Sequence, residues 1–167
     1  MTPAKPKILV VDDDEQILTQ MNWALKEEFE VHRAGDRPSA LKVFQSVRPD
    51  LVILDLGLPP HPRDAREGLA ALEEILRAER GAKVVIISGN ADRENALKAV
   101  TLGACDFFSK PVDLAELKVV LGRALFLIEL EREGEARPAA EKPFEEILGT
   151  SRPMIELFQK VSKVAST

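Results

Sequence analysis

The sequence predicts a doubly wound α/β domain, a (βα)5 unit on a five-stranded parallel sheet. Two observations predict it. Short apolar runs without polar alternation recur along the chain, as strands buried on both faces require. Between them lie segments whose apolar residues fall at helical spacing. A third observation points to function: the ends of these runs carry Asp12, Asp13, Asp55, Ser88 and Lys110.

The elements follow in order. Lys7-Ile8-Leu9-Val10-Val11 is the first strand and runs into Asp12-Asp13-Asp14. Residues 15–28 form a helix with Ile17, Leu18, Met21, Leu25 and Phe29 at helical spacing. Val31 to Ala34 is a weaker strand. Asp36 can cap the next helix, which turns Ala40, Leu41 and Phe44 inward. Arg48-Pro49-Asp50 breaks the chain before the strand Leu51-Val52-Ile53-Leu54, which ends at Asp55. The proline-rich stretch from Gly57 to Pro62 is a loop, because proline lacks a donor and restricts its neighbour. A helix over 66–79 carries Leu69, Leu72, Ile75 and Leu76. Val84-Val85-Ile86-Ile87 is a strong strand ending at Ser88-Gly89. A helix over 92–102 stops at Gly103, and Cys105 to Phe108 is a short strand before Ser109-Lys110-Pro111. The last helix starts near Asp113 and reaches about 133, roughly 20 residues and more than the domain needs. Its residues Leu114, Leu117, Leu121, Leu125 and Ile128 suggest pairing with a second copy as coiled coils do.

The chain has 167 residues and a formal charge of −5. That balance argues against a nucleic-acid surface, which needs a basic patch. The single cysteine, Cys105, allows no internal disulfide, as expected in a reducing compartment. No apolar run exceeds about five residues, against the ~20 of a membrane span, and residues 1–7 do not lead into a signal-peptide core. A cytoplasmic location without membrane contact is the expectation.

In an open α/β sheet, ligands bind outside the carboxyl ends of the strands, where the strand order reverses. Asp12, Asp13, Asp55, Ser88 and Lys110 all belong to that rim. Three carboxylates from two strand ends can share Mg2+, a hard cation that takes oxygen ligands. Asp13 and Asp55 would bind directly, Asp12 directly or through water, and the backbone carbonyl near Gly57 could add an oxygen. Asp55 can then act as a nucleophile toward phosphorus, with Lys110 and Ser88 stabilising the phosphoryl oxygens. Asp14 is expected to be a helix cap. His32 and His61 are read as solvated or loop residues and Cys105 as a small core residue. Phe107 and Phe108 face opposite ways, and Trp23 serves packing or a contact surface.

These residues resemble the receiver domain of two-component response regulators. VVDDDE at 10–15, LDLGLP at 54–59, ISGN at 87–90 and DFFSKP at 106–111 match its active-site segments in order, over residues 6–130. The resemblance implies a flavodoxin-like sheet of order 2-1-3-4-5, an acidic pair Asp12 and Asp13, and phosphorylation of Asp55 by a histidine kinase. It also implies a switch hydroxyl on Ser88, a switch aromatic at Phe107 and a cis peptide at Lys110-Pro111. The loop between Pro59 and Gly68 is longer than the family pattern by about five residues. DLGLPPHP, EGLAALEEI and GNADRENALKAVTLGACDFFSKPVD resemble the subgroup tied to exopolysaccharide and exosortase (PEP-CTERM) gene clusters in Gram-negative bacteria.

On this reading residues 6–133 are the receiver domain and 134–146 a polar linker. Residues 147–167, ILGTSRPMIELFQKVSKVAST, resemble the truncated start of the AAA+ ATPase domain of sigma-54-dependent, NtrC-like activators. The expected function is a phosphorylation-controlled switch upstream of that ATPase, dimeric through helices four and five and the extended last helix, rather than an enzyme. Two alternatives are a Mg2+-dependent phosphohydrolase with Asp55 as nucleophile and a non-phosphorylated pseudo-receiver. A hydrolase would need an acid/base carboxylate soon after the nucleophile, where Gly57 stands. The intact acidic set argues against the pseudo-receiver.

Overall fold

A computed structural model describes residues 4–89 and 93–136, the side chains only to 134. The chain divides into two units, Met1–Phe126 and Leu127–Thr167. The sheet and its first four helices lie in the first unit; of the second, residues 127–136 continue the last helix. The predicted linker beyond 136 and the ATPase-like segment 147–167 lie outside the described residues.

Five strands alternate with five helices: β1 (Lys7–Val11), α1 (Glu15–Leu25), β2 (Glu30–Ala34), α2 (Arg37–Val47), β3 (Leu51–Asp55), α3 (Arg66–Ala78), β4 (Lys83–Ser88), α4 (Arg93–Leu102), β5 (Asp106–Ser109) and α5 (Leu114–Ala136). The strands form one sheet of order β2-β1-β3-β4-β5, and every pair is parallel. This is the flavodoxin-like doubly wound fold, with the order reversing between β1 and β3.

Burial explains the apolar runs. All five residues of β3 are buried, as are all but the first of β1 and β4. The edge strands β2 and β5 are mostly half-exposed, and there the sequence turns polar. A Leu→Ala change at a fully buried position such as Leu54 would cost about 2–5 kcal/mol.

Local signals set the helix ends. The Asp14 side chain accepts from the Gln16 N–H and caps α1. Asp36 and Ser39 form a capping box at α2, with Pro38 in its first turn. Helix α1 ends at Leu25, three residues short of the predicted 28. The Glu28 and Phe29 amides both donate to the Leu25 carbonyl there, at 3.1 and 2.8 Å, so the chain tightens into a turn. Strand β5 begins one residue later than predicted, and Cys105 before it is half-buried rather than core.

Helix α5 differs from its prediction in what its apolar stripe does. Leu117, Leu121 and Ala124 are buried within the chain itself. Of the predicted stripe, Leu117 and Leu121 are thus covered, while Leu114, Leu125 and Ile128 are half-buried. A second set, Val119, Phe126 and Leu130, recurs at 7- and 4-residue steps and is 57%, 59% and 46% exposed. At 100° per residue this set lies opposite the buried one. The helix also continues as far as Ala136, three residues beyond the predicted end.

Candidate phosphoryl-acceptor site

Register brings the acidic residues together. Val11 of β1 pairs with Leu54 of β3, so Asp12 and Asp55, the next residues in each strand direction, leave the sheet side by side. Asp55 pairs with Ile87, which puts Ser88 one step further along β4. Ser88 pairs with Ser109, and the Lys110 amide donates to the Ser88 carbonyl at 3.0 Å. The Lys110–Pro111 peptide is cis. Four strand ends thus line one rim.

Asp12, Asp55 and Ser88 are 2%, 4% and 2% exposed, the buried polar residues of the described domain. Asp13 is exposed. Oxygens from Asp12, Asp13 and Asp55 lie within 4.8 Å of one another. The Lys110 Nζ sits between two of them, 2.9 Å from Asp12 Oδ2 and 3.2 Å from Asp55 Oδ2. Asp12 Oδ1 accepts from the Asp14 N–H at 2.9 Å, and Asp55 Oδ1 from the Gly57 N–H at 3.2 Å. These bonds fix the carboxylates before any ligand arrives.

Electrostatics follow from this crowding. Burial pushes the Asp55 carboxyl up to about 6; the charge of Asp12 pushes the same way, and Lys110 and the Gly57 N–H offset only part of it. Burial and the Asp12 charge also raise Asp13. Burial alone would lower the Lys110 ammonium, but hydrogen bonding to Asp12 and the charges of Asp55 and Asp12 outweigh it, and its pKa rises. A raised carboxyl marks an acidic site that lacks enough positive charge. An all-oxygen set of three close carboxylates is the donor chemistry of a hard divalent cation, and Asp12, Asp13 and Asp55 fit such a cation on that ground.

Above these residues opens a cleft of about 500 Å³. Its walls are not only strand ends. Pro62, Arg63, Asp64 and Ala65 of the long loop between Pro59 and Gly68 also line it. Leu58 is fully buried and Ala65 is 6% exposed, so the loop is anchored at both ends. The His61 amide donates to Leu58 at 3.0 Å and the Asp64 amide to His61 at 3.2 Å, folding the tip. The Pro59–Pro60 peptide is cis. A Cβ on Gly57 would stand 2.5 Å from the Pro62 carbonyl oxygen, and one on Gly68 only 2.2 Å from the Leu56 Cα. Two glycines thus let the loop close onto the end of β3. That pair bracketing a proline-rich stretch was the one available signal.

The remaining sequence candidates sit apart from the cleft. Phe107 is half-buried and packs against the main core cluster, while Phe108 is also half-buried. Trp23 is 65% exposed, with the Lys26 ammonium 3.5 Å from its ring centroid. His32 bonds Glu30 at 2.8 Å on the edge strand, and His61 lies in the loop.

Residues 8–121, more than half of the chain, match the family described as response regulator receiver domain. The chain belongs to that family. Regulatory protein AtoC of Escherichia coli strain K12 is 30% identical over 163 residues, which is 95% of this chain and 34% of AtoC. The nitrogen assimilation regulatory protein NtrX of Azorhizobium caulinodans is 33% identical over 161 residues, 96% of this chain and 35% of that protein. The chain therefore spans about a third of the length of these curated relatives. Among solved structures, NtrX from Brucella abortus superposes with a TM-score of 0.71 at 38% identity, covering 80% of this chain and 30% of that one. A receiver domain from Methanospirillum hungatei gives 0.71 at 29% identity, covering 77% and 99%. This chain is thus an NtrC/NtrX-like receiver domain of a two-component response regulator, and receiver domains are phosphotransfer switches. Among its described residues, no helix is long and apolar enough to cross a membrane.

Proposed function

We propose that this receiver accepts a phosphoryl group on Asp55 from a histidine kinase and relays the change to a sigma-54-type ATPase. The observation that carries this reading is the buried Asp55 carboxylate, bonded to Lys110 and flanked by Asp12 and Asp13 at the floor of an open cleft. Asp12, Asp13 and Asp55, with the Gly57 carbonyl as a further oxygen, would hold Mg2+. When bound, that cation supplies charge neutralisation at the transferring group. Asp55 provides the attacking oxygen. Lys110 leaves the Asp12–Asp55 pair to bind a phosphoryl oxygen, and Ser88, one step along β4, donates its hydroxyl to another. Phe107 has no hydroxyl, so its part in the switch is a change of packing near Ile86.

The alignments with AtoC and NtrX extend well past residue 121, which supports reading 147–167 as the start of the next domain after a linker at 134–146. A homodimer through α4 and α5 is supported by exposed Leu97 and Leu102 on α4 and by Val119, Phe126 and Leu130 on α5. The exopolysaccharide-associated subgroup and a cytoplasmic location complete the reading.

Incubation with acetyl phosphate and Mg2+, followed by intact mass, tests it. One stable or slowly lost phosphoryl group, absent in Asp55→Ala, supports the switch. Rapid multiple turnover supports a phosphohydrolase, and no addition a pseudo-receiver. Light scattering after size exclusion, with and without a phosphoryl mimic, tests the dimer; a strict monomer in both would refute it.

A further inference from the structure

The acceptor cleft has a second cation besides Lys110. Among its described lining residues, Arg63 and Lys110 stand against Asp13, Asp14, Asp55 and Asp64. Lys110 is already shared by two carboxylates, at 2.9 Å from Asp12 and 3.2 Å from Asp55. Any phosphoryl oxygen that takes it must compete with Asp12. Arg63 arrives from the loop, and its backbone is held in place. The adjoining Pro62 carbonyl lies against Gly57, where a Cβ would meet it at 2.5 Å. On the other side, Ala65 is buried two residues on. Arg63 is thus an exposed residue that lines the cleft next to a pinned proline, and the residue against that proline, Gly57, is two positions from Asp55.

We propose that Arg63 is a phosphoryl-binding residue of this chain, contacting the oxygens of the group carried on Asp55. The inference rests on Asp55 being the acceptor. In transfer, an Asp55 oxygen bonds to phosphorus, the donor's bond to phosphorus breaks, and the donor leaves with that electron pair. Asp55 changes from a single negative charge to an acyl phosphate with about two. Guanidinium matches phosphate oxygens with paired, charge-assisted hydrogen bonds, which an ammonium cannot reproduce. Arg63 moves no proton and forms no covalent bond; it adds positive charge on the side of the cleft that Lys110 does not serve.

The test is a titration of beryllofluoride, a tetrahedral phosphoryl mimic, at saturating Mg2+, read by amide NMR shifts. Arg63→Ala should weaken the mimic by about three- to tenfold, and Arg63→Lys should fall between it and the wild type. Mg2+ titrated alone should bind Arg63→Ala slightly tighter, because a cation has left an acidic cleft. The urea midpoint without ligands should not move. Equal mimic affinity in wild type and Arg63→Ala overturns the proposal. So does a parallel loss of mimic and Mg2+ affinity with a lowered midpoint, which would make Arg63 structural. Mimic binding that survives in Asp55→Asn places the mimic elsewhere and also overturns it. Failure of the wild type to bind the mimic at all would instead sink the acceptor reading, and this inference with it.

Discussion

The floor and the rim of the acceptor cleft are built by different physics. The floor is the ends of β1, β3, β4 and β5, where register places Asp12, Asp55, Ser88 and Lys110. Those residues are buried or half-buried and bonded to one another. The rim is the loop from Leu58 to Ala65, whose tip is exposed and held by two buried anchors and two glycines.

The joint between the two is where the largest effect is expected. A Cβ at Gly68 would meet the Leu56 Cα, O and C at 2.2, 2.5 and 2.7 Å. These are backbone atoms just past β3, which cannot yield without moving the floor. Gly68→Ala should cost about 3 kcal/mol in urea unfolding. If the loss is below about 1 kcal/mol, floor and rim are not rigidly joined.

The floor alone is probed by pH. Asp55 has a folded-state pKa of about 6 against 3.8 for an ordinary aspartate. Between those values the folded chain holds a proton that the unfolded chain has released. Stability without metal therefore falls as pH rises from about 4 to 6 and levels off above. Asp55→Asn removes this slope and should be more stable than the wild type at pH 7 by on the order of 2 kcal/mol, with little difference near pH 4. Parallel stability curves for the two proteins would contradict the crowded, under-neutralised floor. Mg2+ should recover the deficit in the wild type and do less for Asp55→Asn.

Much of the floor was legible in the sequence, because a parallel strand buried on both faces leaves an unbroken apolar run, and each run ends where its chemistry begins. The rim was not. Nothing periodic in Pro59-Pro60-His61-Pro62-Arg63-Asp64 says which way the loop folds. Its position depends on contacts between Pro62 and Gly57 and between Gly68 and Leu56, which are visible only in three dimensions. Helix α5 was half legible. Its Leu114–Ile128 stripe is real, but Leu117 and Leu121 spend it on their own domain, and the exposed face is the one at Val119, Phe126 and Leu130.

Smaller effects are expected where the rim alone is touched. At Gly57 the obstacle to a Cβ is the Pro62 carbonyl, in a loop that can give way. Gly57→Ala should cost about 1 kcal/mol, well below Gly68→Ala, while shifting NMR signals of residues 58–65. Equal costs at the two glycines would erase the distinction between a rigid floor and a yielding rim. Arg37, at the start of α2, ties that helix to α3, with Glu67 at 2.7 Å and Glu74 at 2.8 Å. Because Arg37 and Glu74 are about one-third exposed, solvent weakens the pairing, and Arg37→Ala should cost about 0.5–1 kcal/mol in urea unfolding.

The central claim is that Asp55 is the acceptor, and intact mass measures it most directly. After acetyl phosphate and Mg2+, the wild type should gain one phosphoryl group, the Arg63→Ala protein should gain it too, and Asp55→Ala should gain none. A phosphoryl group that still adds to Asp55→Ala, or never adds to the wild type, would contradict the account.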